Sequence, residues 1–198
     1  MRDFPPIDRE AEARAMRTLF FTDSEFEGKS CKVAVANYLA FLSLRGSDVA
    51  GEVARLREAL GIPTAAHRER DLCLLLRARN WRFHNIACVA IACCDASKEL
   101  TSELWEGIRL GSWTSPQLAA TAAYIDAEFR TKALALLESH GTYYKSIVAL
   151  AALLENADAE WPAAALSNIA EAREIDRDDS GNIAVAWKRN LQEAFGET

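Results

Sequence analysis

The side chains most able to do chemistry are cations grouped around one indole. Arg77, Arg79, Arg82 and His84 lie in one short stretch of the sequence that also contains Trp81. Guanidinium groups bind carboxylates and phosphates through paired hydrogen bonds, so the stretch predicts a site for a small anion. The alternative is a solvent-exposed basic rim that pairs with acidic neighbours. His84 is not favoured as a catalytic base, because no serine or cysteine nucleophile in a recognisable motif accompanies it.

An acidic turn near the end of the chain offers a second chemistry, that of calcium. Asp176, Asp178 and Ser180 stand at alternating positions, and Gly181 follows them, as in the first half of an EF-hand loop. The twelfth position holds a tryptophan, whereas such a loop needs a bidentate glutamate there. A turn with Gly181 in a left-handed conformation and Asn182 capping the next helix explains the same residues. We therefore predict no metal site and no cofactor.

Most familiar enzyme motifs are absent from the sequence. It contains no phosphate-binding loop, dinucleotide-binding glycine pattern, zinc-protease helix, nucleophile elbow or di-iron Glu-x-x-His pair. Four of the five cysteines fall in segments predicted to be apolar helices and are interpreted as small buried side chains in a reducing compartment. Cys93 and Cys94 are adjacent, which suits neither a zinc knuckle nor a thioredoxin-type motif. An enzyme is therefore the less favoured expectation.

The elements that must position these residues form a repeat between Arg77 and Leu154. In each of three copies an aromatic residue follows a small or polar one, and an aliphatic residue five positions later opens an alanine-rich apolar run. The aromatic residues are Trp81, Trp113 and Tyr143. A period of about thirty residues is typical of stacked two-helix units. The second helix of each pair is apolar on nearly all sides, which predicts a central layer covered by the amphipathic first helices.

The predicted fold is all-α, with nine or ten helices in one domain over residues 1–198. We expect N-terminal helices over 7–60, a core of stacked antiparallel hairpins over 65–155, and capping helices over 162–195. No strand is predicted, because no segment shows sustained alternation of apolar and polar residues.

Three predictions concern the N-terminal part in more detail. The apolar spacing predicts one amphipathic helix from Ile7 to Phe20 and a second, largely apolar helix from about Cys31 to Leu44. Between them, Thr22 to Lys29 contains aspartate, serine and glycine, which is typical of a loop.

The repeated aromatic position has two interpretations. Tryptophan and tyrosine beside arginine are the usual hot spots of protein contacts, so Trp81, Trp113, Tyr143 and the adjacent Tyr144 could form a row of anchors. The favoured interpretation is structural, because a residue repeated with the fold most simply fills the gap between successive hairpins. On that basis the replacement of Trp113 by alanine should destabilise the protein by roughly 3 to 5 kcal/mol.

Charge and the N-terminal sequence limit the class of partner. A formal net charge of −6 argues against a nucleic-acid partner, because such proteins neutralise phosphates with a basic face. Acidic residues concentrate between residues 155 and 180 and arginines between 67 and 84, which predicts a molecule with charged ends of opposite sign. The first residues lack the apolar segment of a signal peptide, and the apolar runs are too short to cross a bilayer. We expect a cytoplasmic protein with no membrane partner.

The paired helices, short turns and apolar inner layer over Arg77–Leu154 resemble HEAT-like helical-repeat proteins. The resemblance implies a curved stack that presents a surface to a macromolecule. The favoured function is a non-enzymatic protein-binding module, one version of which is a bacterial immunity or adaptor protein that covers a basic partner. The alternative is an enzyme or small-anion-binding protein with a pocket near Arg79, Arg82 and His84. A deep cleft with strongly shifted titration would favour the alternative.

Overall fold

The computed structural model describes residues 6–155 and 161–196. This part of the chain is predominantly helical and contains ten α-helices and one small sheet, which confirms the predicted class and number of helices. In chain order the elements are α1 (Arg9–Ala15), β1 (Phe21–Phe26), β2 (Lys29–Ala34), α2 (Val49–Gly61), α3 (Ala65–Arg77), α4 (Trp81–Ala92), α5 (Lys98–Leu110), α6 (Ser115–Ile125), α7 (Phe129–Glu138), α8 (Tyr144–Glu155), α9 (Ala163–Ile175) and α10 (Ser180–Phe195).

Helices α3 to α8 form three hairpins whose second members lie side by side. Helix α4 packs on α6 and α6 packs on α8, while the first members α3 and α5 pack against each other outside them. All residues from 83 to 91 in α4, 115 to 122 in α6 and 145 to 151 in α8 are buried. Helices without a polar face must be covered on more than one side. The three central helices α4, α6 and α8 are covered in this way.

The turns between paired helices are fixed by caps and by special backbone conformations. The Asn80 side chain accepts the Arg82 amide at 3.0 Å at the start of α4, and the Ser97 hydroxyl accepts the Leu100 amide at 3.1 Å at the start of α5. Helix α5 ends at Gly111, which has a φ of 93°. A glycine is needed there because other residues rarely adopt that conformation.

The second side of the central layer is covered by α10 and by the irregular segment 35–48. Helix α10 packs against both α6 and α8, and α9 packs against α7 and α8. Helix α10 therefore lies along the central layer, whereas the sequence predicted that it would cap the end of the stack. Three consecutive carbonyls of the segment accept side-chain N–H groups at 2.9, 3.0 and 2.7 Å. The pairs are Trp187 to Phe41, Gln117 to Leu42 and Asn190 to Ser43.

The prediction that the chain contains no strand is wrong, and so are two predictions about the N-terminal part. The predicted loop Thr22–Lys29 lies mostly in a two-stranded antiparallel hairpin in which Phe26 pairs with Lys29. The predicted helix from Cys31 to Leu44 does not form, because its first residues belong to β2 and the remainder consists of turns. Glu27 and Gly28 both have positive φ, which is the conformation of a tight two-residue hairpin turn. Five of the six β1 residues are exposed, so the sequence shows no alternation of apolar and polar residues that would predict a strand.

Helix α1 is shorter than predicted, and the chain after it is held by buried carboxylates. Asp71 accepts the Leu19 amide at 2.9 Å, and Glu52 accepts the Asn37 amide at 2.8 Å. Both acidic side chains are buried and each also pairs with an arginine. Backbone amides outside a helix or sheet need other acceptors, and these two carboxylates supply them for Leu19 and Asn37.

None of the described helices is both long enough and apolar enough to span a membrane.

Candidate functional site

The three repeated aromatic residues stand at the N-terminal ends of the central helices. Trp81 is the first residue of α4, Trp113 lies two residues before α6, and Tyr143 immediately precedes α8. Their environments differ: Trp113 is 47% exposed, Trp81 is partly buried and Tyr143 is 5% exposed. The same position in the repeat therefore produces one half-exposed indole and one buried phenol.

Tyr143 fills the gap between two hairpins. Its amide donates to the Arg109 carbonyl at 3.1 Å, and its ring packs so closely on Gly111 that a Cβ atom there would overlap it. Burial raises the pKa of the Tyr143 hydroxyl above its ordinary value. The neighbouring Tyr144 ring lies 4.7 Å away between centroids and is partly buried. Tyr143 therefore has a structural role: its side chain fills the space between successive hairpins.

Trp113 belongs to a surface that we call the aromatic ridge, formed by Tyr38, Trp81, Trp113 and Arg82. The ring centroids lie 5.5 Å apart from Tyr38 to Trp81 and 5.0 Å apart from Trp81 to Trp113, both edge-on. The Arg82 guanidinium lies 4.7 Å from the Trp81 ring centroid, and its Nε donates to the Tyr38 hydroxyl at 3.2 Å. The sequence offered no signal for Tyr38, which falls in the wrongly predicted second helix.

Beside the ridge is an open cavity of about 440 Å3, which we call the Trp113 cavity. Segment 42–45, the first turns of α6 and α8, the turn before α10 and α10 itself form its walls. The wall is largely apolar and contains two indoles, those of Trp113 and Trp187. Small-molecule sites in proteins commonly combine such walls with a few convergent polar groups.

The polar groups of the Trp113 cavity include one buried cation. Lys145 is 3% exposed, its ammonium pairs with Asp178, and its Nζ lies 5.8 Å from the Trp113 ring centroid. Gln117 is 5% exposed; its Nε2 donates to the Leu42 carbonyl at 3.0 Å, while its Oε1 has no hydrogen-bond partner. A buried lysine is unusual in a soluble protein, and no sequence motif marked this one.

The predicted cation cluster is divided, because Arg82 lies apart from Arg77, Arg79 and His84. Arg77 pairs with Glu103, and that hydrogen bond raises the pKa of its guanidinium. Arg82 lies on the aromatic ridge. Arg79 and His84 line a separate cavity of about 200 Å3 together with Arg77, Glu103 and other residues. The three arginines and His84 therefore do not surround one anion.

His84 is a buried side chain with a single hydrogen bond. Its Nε2 lies 2.9 Å from the Leu76 carbonyl oxygen, so Nε2 carries the proton and Nδ1 is an acceptor without a partner. Burial lowers the pKa of His84 to about 4, which keeps the ring neutral at neutral pH. Within the described part of the chain, the residues that line its cavity include no serine, threonine or cysteine that could act as a nucleophile.

The carboxylates of Asp176 and Asp178 in the acidic turn already have partners within the protein. The Asp176 carboxylate accepts the Ser180 amide at 2.8 Å and the Ser180 hydroxyl at 2.9 Å, whereas Asp178 pairs with Lys145. The left-handed residue is Asp179, with a φ of 58°, and not Gly181 as the sequence suggested. Gly181 instead lies in the first turn of α10, where it lets that helix approach Ala152 of α8. In residues 6–155 and 161–196 no group of three acidic, histidine or cysteine side chains could hold a metal.

All five cysteines are free thiols, and burial lowers the reactivity of four of them. Burial raises the pKa of Cys73 to about 11 and that of Cys88 to about 12, and it also raises those of Cys93 and Cys94. A thiol with a raised pKa is a poor nucleophile at neutral pH. Cys31 lies in β2 and not in the helix predicted for it.

No family model, curated protein or solved structure matches this chain. The resemblance to HEAT-like proteins therefore stays a prediction, and inference about function rests on the ridge and the cavities.

Proposed function

We propose that this protein is a non-enzymatic protein-binding module and that the aromatic ridge is its docking surface. The observation that carries the proposal is the exposure of Trp113, an indole that is nearly half accessible although it sits at a repeated position of the fold. Tryptophan, tyrosine and arginine are the residues most enriched among hot spots of protein interfaces. The ridge contains these three residue types and no aliphatic side chain.

The ridge is held in place before any partner arrives. Tyr38 is fixed through its backbone, because the Asn85 side-chain amide donates to the Tyr38 carbonyl at 3.0 Å. The Thr114 hydroxyl donates to the Trp81 carbonyl at 3.4 Å, which links the two tryptophan-bearing turns. Side chains that are already ordered lose little conformational entropy on binding, so more of their contact energy appears as affinity.

The net charge of the chain favours a basic partner. A formal charge of −6 attracts a positively charged protein over distances comparable to the Debye length and raises the rate of encounter. The version that fits best is an immunity or adaptor protein that covers a basic toxin or enzyme. In this version the overall charge provides the steering, and the ridge provides the short-range contacts.

Affinity capture from the source cell with ridge variants tests the proposal. We expect the wild-type protein to retain a basic protein, and Trp113→Ala and Arg82→Ala each to weaken that complex by about 30-fold, as loss of a 2 kcal/mol hot spot would. The control is Leu166→Ser, which removes an exposed apolar side chain from α9, an element that contributes nothing to the ridge. Unchanged binding by both ridge variants, with native circular dichroism, would contradict the proposal.

A further inference from the structure

The Trp113 cavity contains more positive than negative charge. Three charged side chains line it, the cations Arg45 and Lys145 and the anion Asp178. Asp178 is the one hydrogen-bond acceptor of the Lys145 ammonium within the described part of the chain, although an ammonium has three N–H donors. Arg45 is exposed and donates through Nε to the Asn190 side-chain oxygen at 3.2 Å, a neutral partner. A second anion would therefore find unused donors here.

Three helix N-termini add to this charge. Pro116 and Lys145 are the second residues of α6 and α8, Ser180 is the first residue of α10, and all three line the cavity. The N-terminal end of a helix carries partial positive charge, which favours a bound anion. The first amides of α6 and the Ser180 amide of α10 are already paired, so these two helix ends contribute through the dipole alone. The helices have 11, 12 and 16 residues, long enough for the effect to be present.

The rest of the cavity suits a flat apolar body. The Lys145 ammonium lies 5.8 Å from the ring centroid of the half-exposed Trp113. Trp187, Ile183 and Pro116 complete an apolar wall. The volume of about 440 Å3 lies within the range of roughly 300 to 1,000 Å3 that is usual for small-molecule sites. Gln117 also lines the cavity, and its buried Oε1, which has no partner among the described residues, is an acceptor for an N–H or O–H group on a ligand's apolar body and not for an anionic group.

We propose that the Trp113 cavity binds a small aromatic carboxylate. The carboxylate accepts hydrogen bonds from the Lys145 ammonium, and the aromatic ring packs against the Trp113 indole. Asp178 competes with the ligand for Lys145, and its side chain is 52% exposed, so it can turn to solvent when the ligand binds. This site goes beyond protein docking, because it uses Lys145 and Asp178 and requires neither Tyr38 nor Arg82.

Isothermal titration with two matched probes, 1-naphthaleneacetate and 1-naphthaleneacetamide, tests the proposal. The two compounds have the same ring and differ in charge. We expect the wild-type protein to bind the acid at least about tenfold more tightly than the amide, which corresponds to about 1.4 kcal/mol. Quenching of tryptophan fluorescence should follow the same isotherm, since two indoles line the cavity.

Two substitutions should change the affinity for the acid in opposite directions. Lys145→Met removes the cation and should abolish the preference for the acid over the amide. Asp178→Asn removes the competitor and should tighten binding of the acid by about tenfold without affecting the amide. The second variant keeps the proposal testable if the first does not fold, because its side chain is half exposed and close to isosteric.

The outcomes separate this site from the proposed docking surface. Equal binding of acid and amide, no binding of either at millimolar concentration, or an Asp178→Asn variant that binds the acid no more tightly would each overturn the ligand proposal. Arg82→Ala should weaken capture of a protein partner while leaving the titration with the acid unchanged. Either proposal can therefore fail while the other stands.

Discussion

Tyr143 and Trp113 occupy the same position in successive hairpins, yet one is buried and the other is half exposed. Tyr143 packs on the bare backbone of Gly111. The residue 32 positions before Gly111 is Arg79, which is the equivalent residue of the preceding hairpin. Both have positive φ, 93° and 51°, so the two turns share this feature of the backbone and differ in the side chain. Tyr143 therefore packs on bare backbone, whereas the equivalent position of the preceding hairpin carries an arginine side chain.

The largest loss of stability should follow from adding a side chain at Gly111, on which the Tyr143 ring packs. Gly111→Ala places a Cβ atom inside the Tyr143 ring and forces alanine into a backbone conformation that glycine alone tolerates well. We expect a loss of about 4 kcal/mol in the free energy of unfolding, measured by urea denaturation. Gly107→Ala in the middle of α5 is the matched control, since its new Cβ would meet its nearest atom at 3.9 Å. A stable Gly111→Ala protein would contradict the comparison.

Removal of the buried ring should have the next largest effect. Tyr143→Ala should cost about 3 to 4 kcal/mol, because a fully packed aromatic side chain leaves a cavity. The double variant with Gly111→Ala should lose less than the two single variants together, since the overlap disappears with the ring. Strict additivity in a double-mutant cycle would show that Gly111 and Tyr143 are not coupled.

The cavity that Arg79 and Gly111 line together also contains His84, whose burial predicts a pH dependence. The folded-state pKa of about 4 lies below the ordinary 6.5, so the unfolded chain binds the proton more readily between these values. Stability is therefore unaffected by His84 above pH 6.5 and is lost as the pH falls toward 4, by about 3 kcal/mol in total. Urea denaturation of wild type and His84→Gln across this range isolates the contribution. Parallel curves for the two proteins would remove His84 as the cause.

The smallest effect on stability should come from the exposed member of the pair. Trp113→Ala should cost about 2 kcal/mol, less than Tyr143→Ala, because roughly half of the indole is already in contact with solvent. This value replaces the 3 to 5 kcal/mol expected from the sequence, where both aromatic residues had been assigned the same role. A loss as large as that of Tyr143→Ala, measured by the same denaturation, would make Trp113 a structural residue after all.

The helical stack was accessible to sequence analysis because its signal is local. Each of α4, α6 and α8 is apolar nearly all round, and each has an aromatic residue at its start or within two residues before it, so their pairing could be predicted. The prediction of a helix over Cys31–Leu44 failed for a physical reason. The carbonyls of Phe41, Leu42 and Ser43 accept hydrogen bonds from Trp187, Gln117 and Asn190, which are distant in the sequence. For the β1–β2 hairpin, the only local sequence signal was the Glu27-Gly28 pair at its turn.

The candidate site was predicted in part. Spacing alone selected Trp81 and Trp113, and the structure places them in contact. It also suggested that neighbouring cations act together, but a turn directs Arg77 and Arg82 to different partners. The Lys145–Asp178 pair joins residues 33 positions apart, and it forms because α10 returns to the start of α8. Contacts of this kind depend on how the hairpins are assembled, which local sequence patterns do not encode.

The three carbonyls of Phe41, Leu42 and Ser43 have a consequence for how such a chain can evolve and be made. Their donors lie 146, 75 and 147 residues downstream and belong to α10 and α6. Open helical arrays change length by duplication or loss of a unit, because each unit touches its neighbours alone. In this chain an added or deleted hairpin would shift α10 away from the carbonyls, so the number of hairpins is fixed. During translation, the Phe41 and Ser43 carbonyls cannot form their native hydrogen bonds until α10 has left the ribosome.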